Sequence, residues 1–270
     1  MAFPADIMPR VADFDPEKPS IARVYDYFLG GKDNFPADRE LAQQLVDIFP
    51  PIPLAARENK EFLDRAITWV AQQGIDQFID LGCGMPTIPS THTSARAVLP
   101  GARVAYVDND PVVIGHLGKN LAGDLGATIV DGDVREVDAI VAAISGGLDL
   151  SRPACLVMAA LLHFFEASAG RELVARYVAA LAPGSLVVLA MGLGNGGESD
   201  RFFSMYSTGP ARLYKHSAAD FASFFENLDL VPPGVADART WRPEWPAVTT
   251  PPRRDFEVAV GVARVSPRLA

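Results

Sequence analysis

The chain has 270 residues, 49 % of them hydrophobic and 21 % charged, and carries a formal net charge of −9. That balance supports a sizeable buried core and excludes global disorder. It also argues against a nucleic-acid partner or an anionic membrane surface, both of which call for a basic face. No apolar run approaches the ~20 residues of a membrane span, and the opening MAFPADIMPRVADFD lacks the apolar stretch of a signal peptide. Cys83 and Cys155 show no paired Cys/His spacing for zinc and read as reduced thiols of a cytoplasmic protein.

Residues 1–19, rich in Pro and Asp, read as an extended arm. Ser20 is placed to cap a helix over 20–29, where Ile21, Val24, Tyr25 and Phe28 recur at three- and four-residue steps and Gly30-Gly31 stops the turn. A second helix is predicted from Pro36 to about Ile48, and a third over 54–73, with Phe62, Leu63, Ala66, Ile67 and Val70 on one stripe. These helices, 20–74, form an N-terminal cap. From 75 to 270 the pattern changes to apolar runs alternating with helical segments: strands at 77–82, 102–108, 127–133, 153–162 and 185–191, each followed by a helix or a flexible turn. Segment 192–200 reads as a glycine-rich turn, 202–209 as helical, and 228–234 and 256–265 as two late strands, the first broken by Pro232-Pro233. Such alternation predicts an α/β, Rossmann-like fold, a mostly parallel seven-stranded sheet closed by a C-terminal reversed hairpin.

Chemistry-bearing residues gather at the strand ends. Asp80 closes the first strand, and Gly82 and Gly84 follow, then Met85. Glycines there let the backbone turn tightly and approach a ligand, and the next helix can turn its amides toward an anion. The third glycine of the dinucleotide fingerprint is absent, and an acid before the loop suits an ammonium group better than a pyrophosphate. Asp108, followed by Asn109, ends the second strand and can accept from both hydroxyls of a ribose. Asp110 before Pro111 reads as a helix N-cap. Asp133 follows the third strand and is suited to an adenine amino group, with the Val134 N–H meeting a ring nitrogen. His163, after the fourth strand, is the candidate general base. Three acids at three successive strand ends point to a shared cleft where open parallel sheets bind ligands.

The stretch Val24-Tyr25-Asp26-Tyr27-Phe28-Leu29-Gly30-Gly31-Lys32-Asp33-Asn34-Phe35 resembles the opening signature of a bacterial S-adenosyl methyltransferase family, formerly a domain of unknown function. Glu58 to Leu63, Asp80 to Thr87, Tyr106 to Val112, Leu161 to Phe164 and Trp241-Arg242-Pro243 are similar too, so the likeness spans about 20–264. The family often has Gly-Thr-Gly-Leu-Pro-Thr where this chain has Gly82-Cys83-Gly84-Met85-Pro86-Thr87, and Asn-x-His-Glu where this chain keeps only His92. The resemblance implies a class I methyltransferase fold with S-adenosyl-L-methionine as cofactor, and leaves the acceptor open.

The resulting expectation is an S-adenosylmethionine-dependent methyltransferase acting on a small-molecule acceptor at O, N or C. Tyr25 would face the sulfonium, since aromatic faces attract cations, and Asp33, Asn34 and His92 would line the acceptor pocket. A protein that holds the cofactor without catalysis is the alternative, and a nicotinamide-dependent oxidoreductase a weaker one. No metal, nucleic acid or membrane is expected as partner; a homodimer is compatible with the chain.

Overall fold

The computed structural model describes residues 15–194, 196–206, 211–242 and 256–266. Most of the predicted arm, Pro243 and part of segment 202–209 lie outside the described residues. Three helices come first: α1 (Ile21–Phe28), α2 (Pro36–Ile48) and α3 (Ile52–Gln72). Then follow β1 (Gln77–Leu81), α4 (Thr91–Val98), β2 (Arg103–Asp108), α5 (Pro111–Asn120), β3 (Ala127–Asp131), α6 (Val137–Ile144), β4 (Cys155–Ala159) and α7 (Ala167–Ala179). The chain continues with β5 (Leu186–Gly194), α8 (Glu198–Tyr206), α9 (Ala218–Ser223), β6 (Asp229–Leu230), β7 (Ala236–Asp237) and β8 (Phe256–Arg264).

The strand order is β3-β2-β1-β4-β5-β8-β6, with β7 also pairing to β8. The first five strands run parallel; β8 enters antiparallel to β5, and β6 and β7 pair antiparallel to β8. The sheet thus has eight strands rather than seven, because the first arm of the predicted hairpin is divided at Val231–Val235, where two prolines supply no N–H to the ladder. Order reverses between β1 and β4, leaving a crevice at their carboxyl ends.

Both faces of the sheet's centre are covered, so β4 and β5 are continuous apolar runs rather than alternating. Phe78, Val104, Val157 and Val188 pack on one face against α1–α5, in a core continuous with Phe62, Ile67 and Val70 of α3. Ile79, Ala105, Leu156 and Val187 pack on the other against α6, α7 and α9. Trp241, fully buried, meets Phe62 edge-on at 5.2 Å between ring centroids and ties the late chain to α3.

Two sequence readings change. The expected turn at 192–200 begins with strand: β5 continues to Gly194, paired opposite Phe256 to Val258. A Cβ on Gly192 would stand 3.2 Å from the Phe256 ring, a tight contact that glycine avoids. Ser20 occupies the N-cap position of α1 without capping it. Its N–H donates to Asp38 (2.8 Å) and its hydroxyl donates to Asp110, so it fastens the start of α1 to α2 and to the loop after β2.

The Gly-Gly-Lys-Asp-Asn segment is a turn wrapped round one carboxylate. Asp26, buried on α1, accepts from the Asp33 N–H (3.0 Å) and the Asn34 amide (2.8 Å). A Cβ on Gly31 would fall 1.9 Å from the Asp26 carboxylate. Gly31→Ala is therefore expected to lower unfolding free energy by about 1–3 kcal/mol, the usual cost of overpacking, read from the denaturant midpoint; an unchanged midpoint would show that the turn yields freely.

Candidate functional site

A single cavity of about 1010 Å³ opens at the carboxyl ends of β1, β2, β3 and β4 and runs beneath α1 and α3. Asp80, Gly82, Gly84, Met85, Asp108, Asn109, Asp133, Val134, Tyr25 and His163 all line it. Asp33, Asn34 and His92 do not. Asp33 and Asn34 serve the Asp26 turn, with Asp33 also 3.7 Å from His116. His92, in the first turn of α4, is held by the Tyr106 hydroxyl (2.8 Å) and Ser90 (3.0 Å). The polar pocket expected from these three is a set of local loop and cap interactions.

The loop after β1 is fixed from below. Gly82 and Cys83 N–H both donate to the Val107 carbonyl (2.8 and 3.3 Å), and Gly84 N–H donates to Asp108 Oδ2 (2.8 Å). Gly82 has φ +62°, and a Cβ there would meet Leu161 at 2.8 Å, so both backbone geometry and space demand glycine. The three successive loop amides are thereby committed to protein acceptors.

Asp108 is buried and accepts one N–H on each oxygen, from Gly84 and from Asp110 (3.0 Å). Each oxygen keeps further acceptor capacity. Burial raises its pKa above the ordinary carboxylate value despite those two bonds. Asp80 accepts from the Thr91 hydroxyl at 2.6 Å, and burial pushes it up to about 6, with Thr91 and Lys60 acting in the opposite sense. Asp133 is held below the ordinary range by Arg135, whose guanidinium grips both of its oxygens. It does not cap α6, whose N-cap position is Glu136; it forms a turn with the Arg135 N–H at 2.9 Å. Asp110 does cap α5, accepting from Val112 at 2.8 Å.

His163 lies on a short 3-10 turn beside Phe164, ring centroids 4.5 Å apart. Burial first, and His216 second, depress it to about 3. The imidazole is neutral at pH 7, and so weak a base is poorly matched to proton abstraction. The expected general base is better suited to accepting a hydrogen bond that orients an acceptor. Tyr25 receives the Asn59 amide at 2.8 Å and donates to the Ala56 carbonyl at 3.3 Å; burial lifts its phenol to about 12, so it stays neutral.

Several lining residues were not picked out in the sequence. Asn59 and Lys60 enter from α3, and Phe49, Phe202, Tyr206 and Phe256 form an aromatic wall. Phe49 touches Phe202 (5.6 Å) and Phe256 (5.1 Å), and Phe202 touches Tyr206 (5.7 Å). The α3 pair was legible in principle: stepping back three or four residues from Phe62 and Leu63 along the stripe reaches Asn59 and Lys60. Among the described residues, no helix is long and apolar enough to cross a membrane, and no group of three or more His, Cys, Asp or Glu could hold a metal ion.

The S-adenosyl methyltransferase family profile matches residues 9–266. A DUF574 family protein from Streptomyces avermitilis superposes with TM-score 0.86 at 33 % identity, over 94 % of this chain and 99 % of that one. A candidate methyltransferase from Thermobifida fusca gives TM-score 0.89 at 34 % identity, over 96 % and 98 %. Human N-acetylserotonin methyltransferase, solved with S-adenosylmethionine, shares the fold alone, at TM-score 0.51 and 14 % identity over 97 % of this chain and 65 % of that one. No curated protein matches the sequence. With the strand order, the crevice and these likenesses together, the chain belongs to the S-adenosyl methyltransferase family, has the class I methyltransferase fold and uses S-adenosylmethionine as its cofactor.

Proposed function

We propose that this protein transfers the methyl group of S-adenosylmethionine to a small molecule with an apolar, flat face. The observation that carries the reading is the convergence of Asp80, Asp108 and Asp133 on one cavity whose other end is aromatic. When bound, the cofactor supplies an electrophilic methyl group on a sulfonium.

The residues present fit that group. Asp108 offers the ribose hydroxyls two carboxylate oxygens already oriented by backbone amides. Asp80, a buried acid, matches an ammonium group. The Val134 N–H has no acceptor among the described residues and is available to a ring nitrogen. Asp133 can reach an adenine amino group while Arg135 shares it, since each carboxylate oxygen has two acceptor sites. Tyr25 presents an uncharged ring suited to a sulfonium. Much of the rate of such a displacement comes from fixed geometry, ~7–11 kcal/mol in favourable cases. The rigid loop, the tethered Tyr25 hydroxyl and the aromatic wall of Phe49, Phe202, Tyr206 and Phe256 supply geometry and exclude water. The net charge of −9 supports a small acceptor over a nucleic acid. Two free thiols, one fully buried, support a reducing cytoplasm.

Donor binding is expected to weaken as pH falls from 7.5 to 5. Asp80 faces Thr91, Lys60 and Asp108 and takes up a proton near pH 6, and a neutral acid no longer attracts an ammonium. Because its folded value is raised, this group favours the ligand-free fold at low pH, and that contribution is lost as pH rises through 6. Weaker binding at pH 5 would then not reflect loss of the fold through this group. Calorimetry with S-adenosylhomocysteine at the two pH values tests this; equal affinity would remove Asp80 from the site. Transfer of a labelled methyl group across a library of small aromatic and aliphatic metabolites tests the activity itself. Failure of every acceptor, with the cofactor bound, would favour a cofactor-holding protein without catalysis.

A further inference from the structure

Recognition of the amino acid end of the cofactor needs a partner for its carboxylate as well as its ammonium. Backbone amides at a strand-to-helix loop are the ready source of such a partner. Here that source is largely consumed: the Gly82 and Cys83 amides go to Val107, and the Gly84 amide to Asp108. At the start of α4 the His92 N–H goes to the Tyr106 hydroxyl (3.0 Å) and the Thr93 N–H to the Ser90 side chain (3.4 Å). With these five amides engaged, a side-chain cation becomes the stronger partner for a carboxylate in this part of the cavity.

Lys60 stands in the same cavity. It is half-buried on α3 and feels the attraction of Asp80 and Asp64, yet burial lowers its proton affinity more than they raise it. It makes no ion pair within 4.0 Å and no hydrogen bond among the described residues. Asp64 is engaged by the Ser94 hydroxyl, and Asp80 spends one oxygen on Thr91. Opposite charges thus face one another across a gap too wide for direct contact and narrow enough for mutual attraction. An α-amino acid group, with its ammonium and carboxylate on one carbon, is the chemistry that bridges such a gap. Both its charges would be met in a site poorly reached by water, where charge-assisted hydrogen bonds are strong.

We infer that Lys60 binds the α-carboxylate of the cofactor while Asp80 takes its α-ammonium, so that the pair reads an intact zwitterion. This rests on the reading of the cavity as the cofactor site. It makes α3, outside the sheet, a direct contributor to cofactor selection.

The test is calorimetric titration of the full chain with S-adenosylhomocysteine and with 5′-methylthioadenosine, which keeps the nucleoside and sulfur and lacks the amino acid. The wild type is expected to prefer S-adenosylhomocysteine by at least about tenfold. Lys60→Met, close in length and apolar, is expected to lose about tenfold or more for S-adenosylhomocysteine and to keep its affinity for 5′-methylthioadenosine within about twofold. The retained nucleoside binding reports an intact pocket. Equal loss of both ligands, or an unchanged preference, overturns the inference. A wild type that binds 5′-methylthioadenosine as well as S-adenosylhomocysteine overturns it too. A wild type that binds neither ligand instead removes the reading of the cavity itself.

Discussion

Alanine in place of Asp108 is expected to lower affinity for S-adenosylhomocysteine by at least about a hundredfold, or ~2.7 kcal/mol. Two hydroxyls of the ribose would lose a charged acceptor, and each such bond is worth about 1.5–3 kcal/mol. The cost to the fold should be much smaller. Asp108 is a buried carboxylate whose ionised form is disfavoured by desolvation, so the ligand-free protein already carries that burden. Its removal frees the Gly84 and Asp110 amides but also lifts the penalty. The signature is a large fall in binding with a melting temperature displaced by only a few degrees. Calorimetry and a thermal scan on the same preparation read both; affinity within about threefold of wild type would sink the ribose assignment.

Arg23→Ala should instead strike the fold. Arg23 and Asp38 are 3 % and 0 % exposed at their side chains, with Nε 2.7 Å from Oδ2. Asp38 also accepts from the Ser20 N–H (2.8 Å) and the Phe35 N–H (2.8 Å), and Arg23 donates to the Lys18 carbonyl (2.6 Å). Removing the guanidinium strands a buried carboxylate between α1 and α2. Breaking such a pair from one side typically costs about 3–5 kcal/mol, and guanidinium chloride unfolding should show a loss of that order. A change below about 1 kcal/mol would mean that Asp38 finds water or another donor at little cost. Because Tyr25 lies two residues along α1, cofactor affinity is expected to fall in parallel.

The α/β core was legible because its strands are short apolar runs buried on both faces and its loops carry glycines and acids at the strand ends. Asp80, Asp108 and Asp133 meet in one cavity because parallel strands all deliver their carboxyl ends to the same edge. The misreadings share a cause: local composition does not say what a residue packs against. Gly192 looks like a turn former, and only its pairing opposite Val258 across the sheet makes it a strand residue. Asp33 and Asn34 look like free polar groups, and only the fold shows the Asp33 N–H and the Asn34 amide donating to the Asp26 carboxylate. Lys60 shares the α3 stripe one turn before Leu63, but its charge alone suggests a solvated position, and only the helix register places it inward. His163 was found by position, but its proton affinity depends on burial, which no spacing reveals.

The antiparallel strand β8 belongs to the sheet and to the pocket at once. It supplies Phe256 and Val258 to the pocket wall, and Phe256 meets Phe49 from near the opposite end of the chain. Loss of β8 would therefore strip β5 of its antiparallel neighbour and open the pocket wall in the same stroke, so that sheet completion and pocket closure are one event.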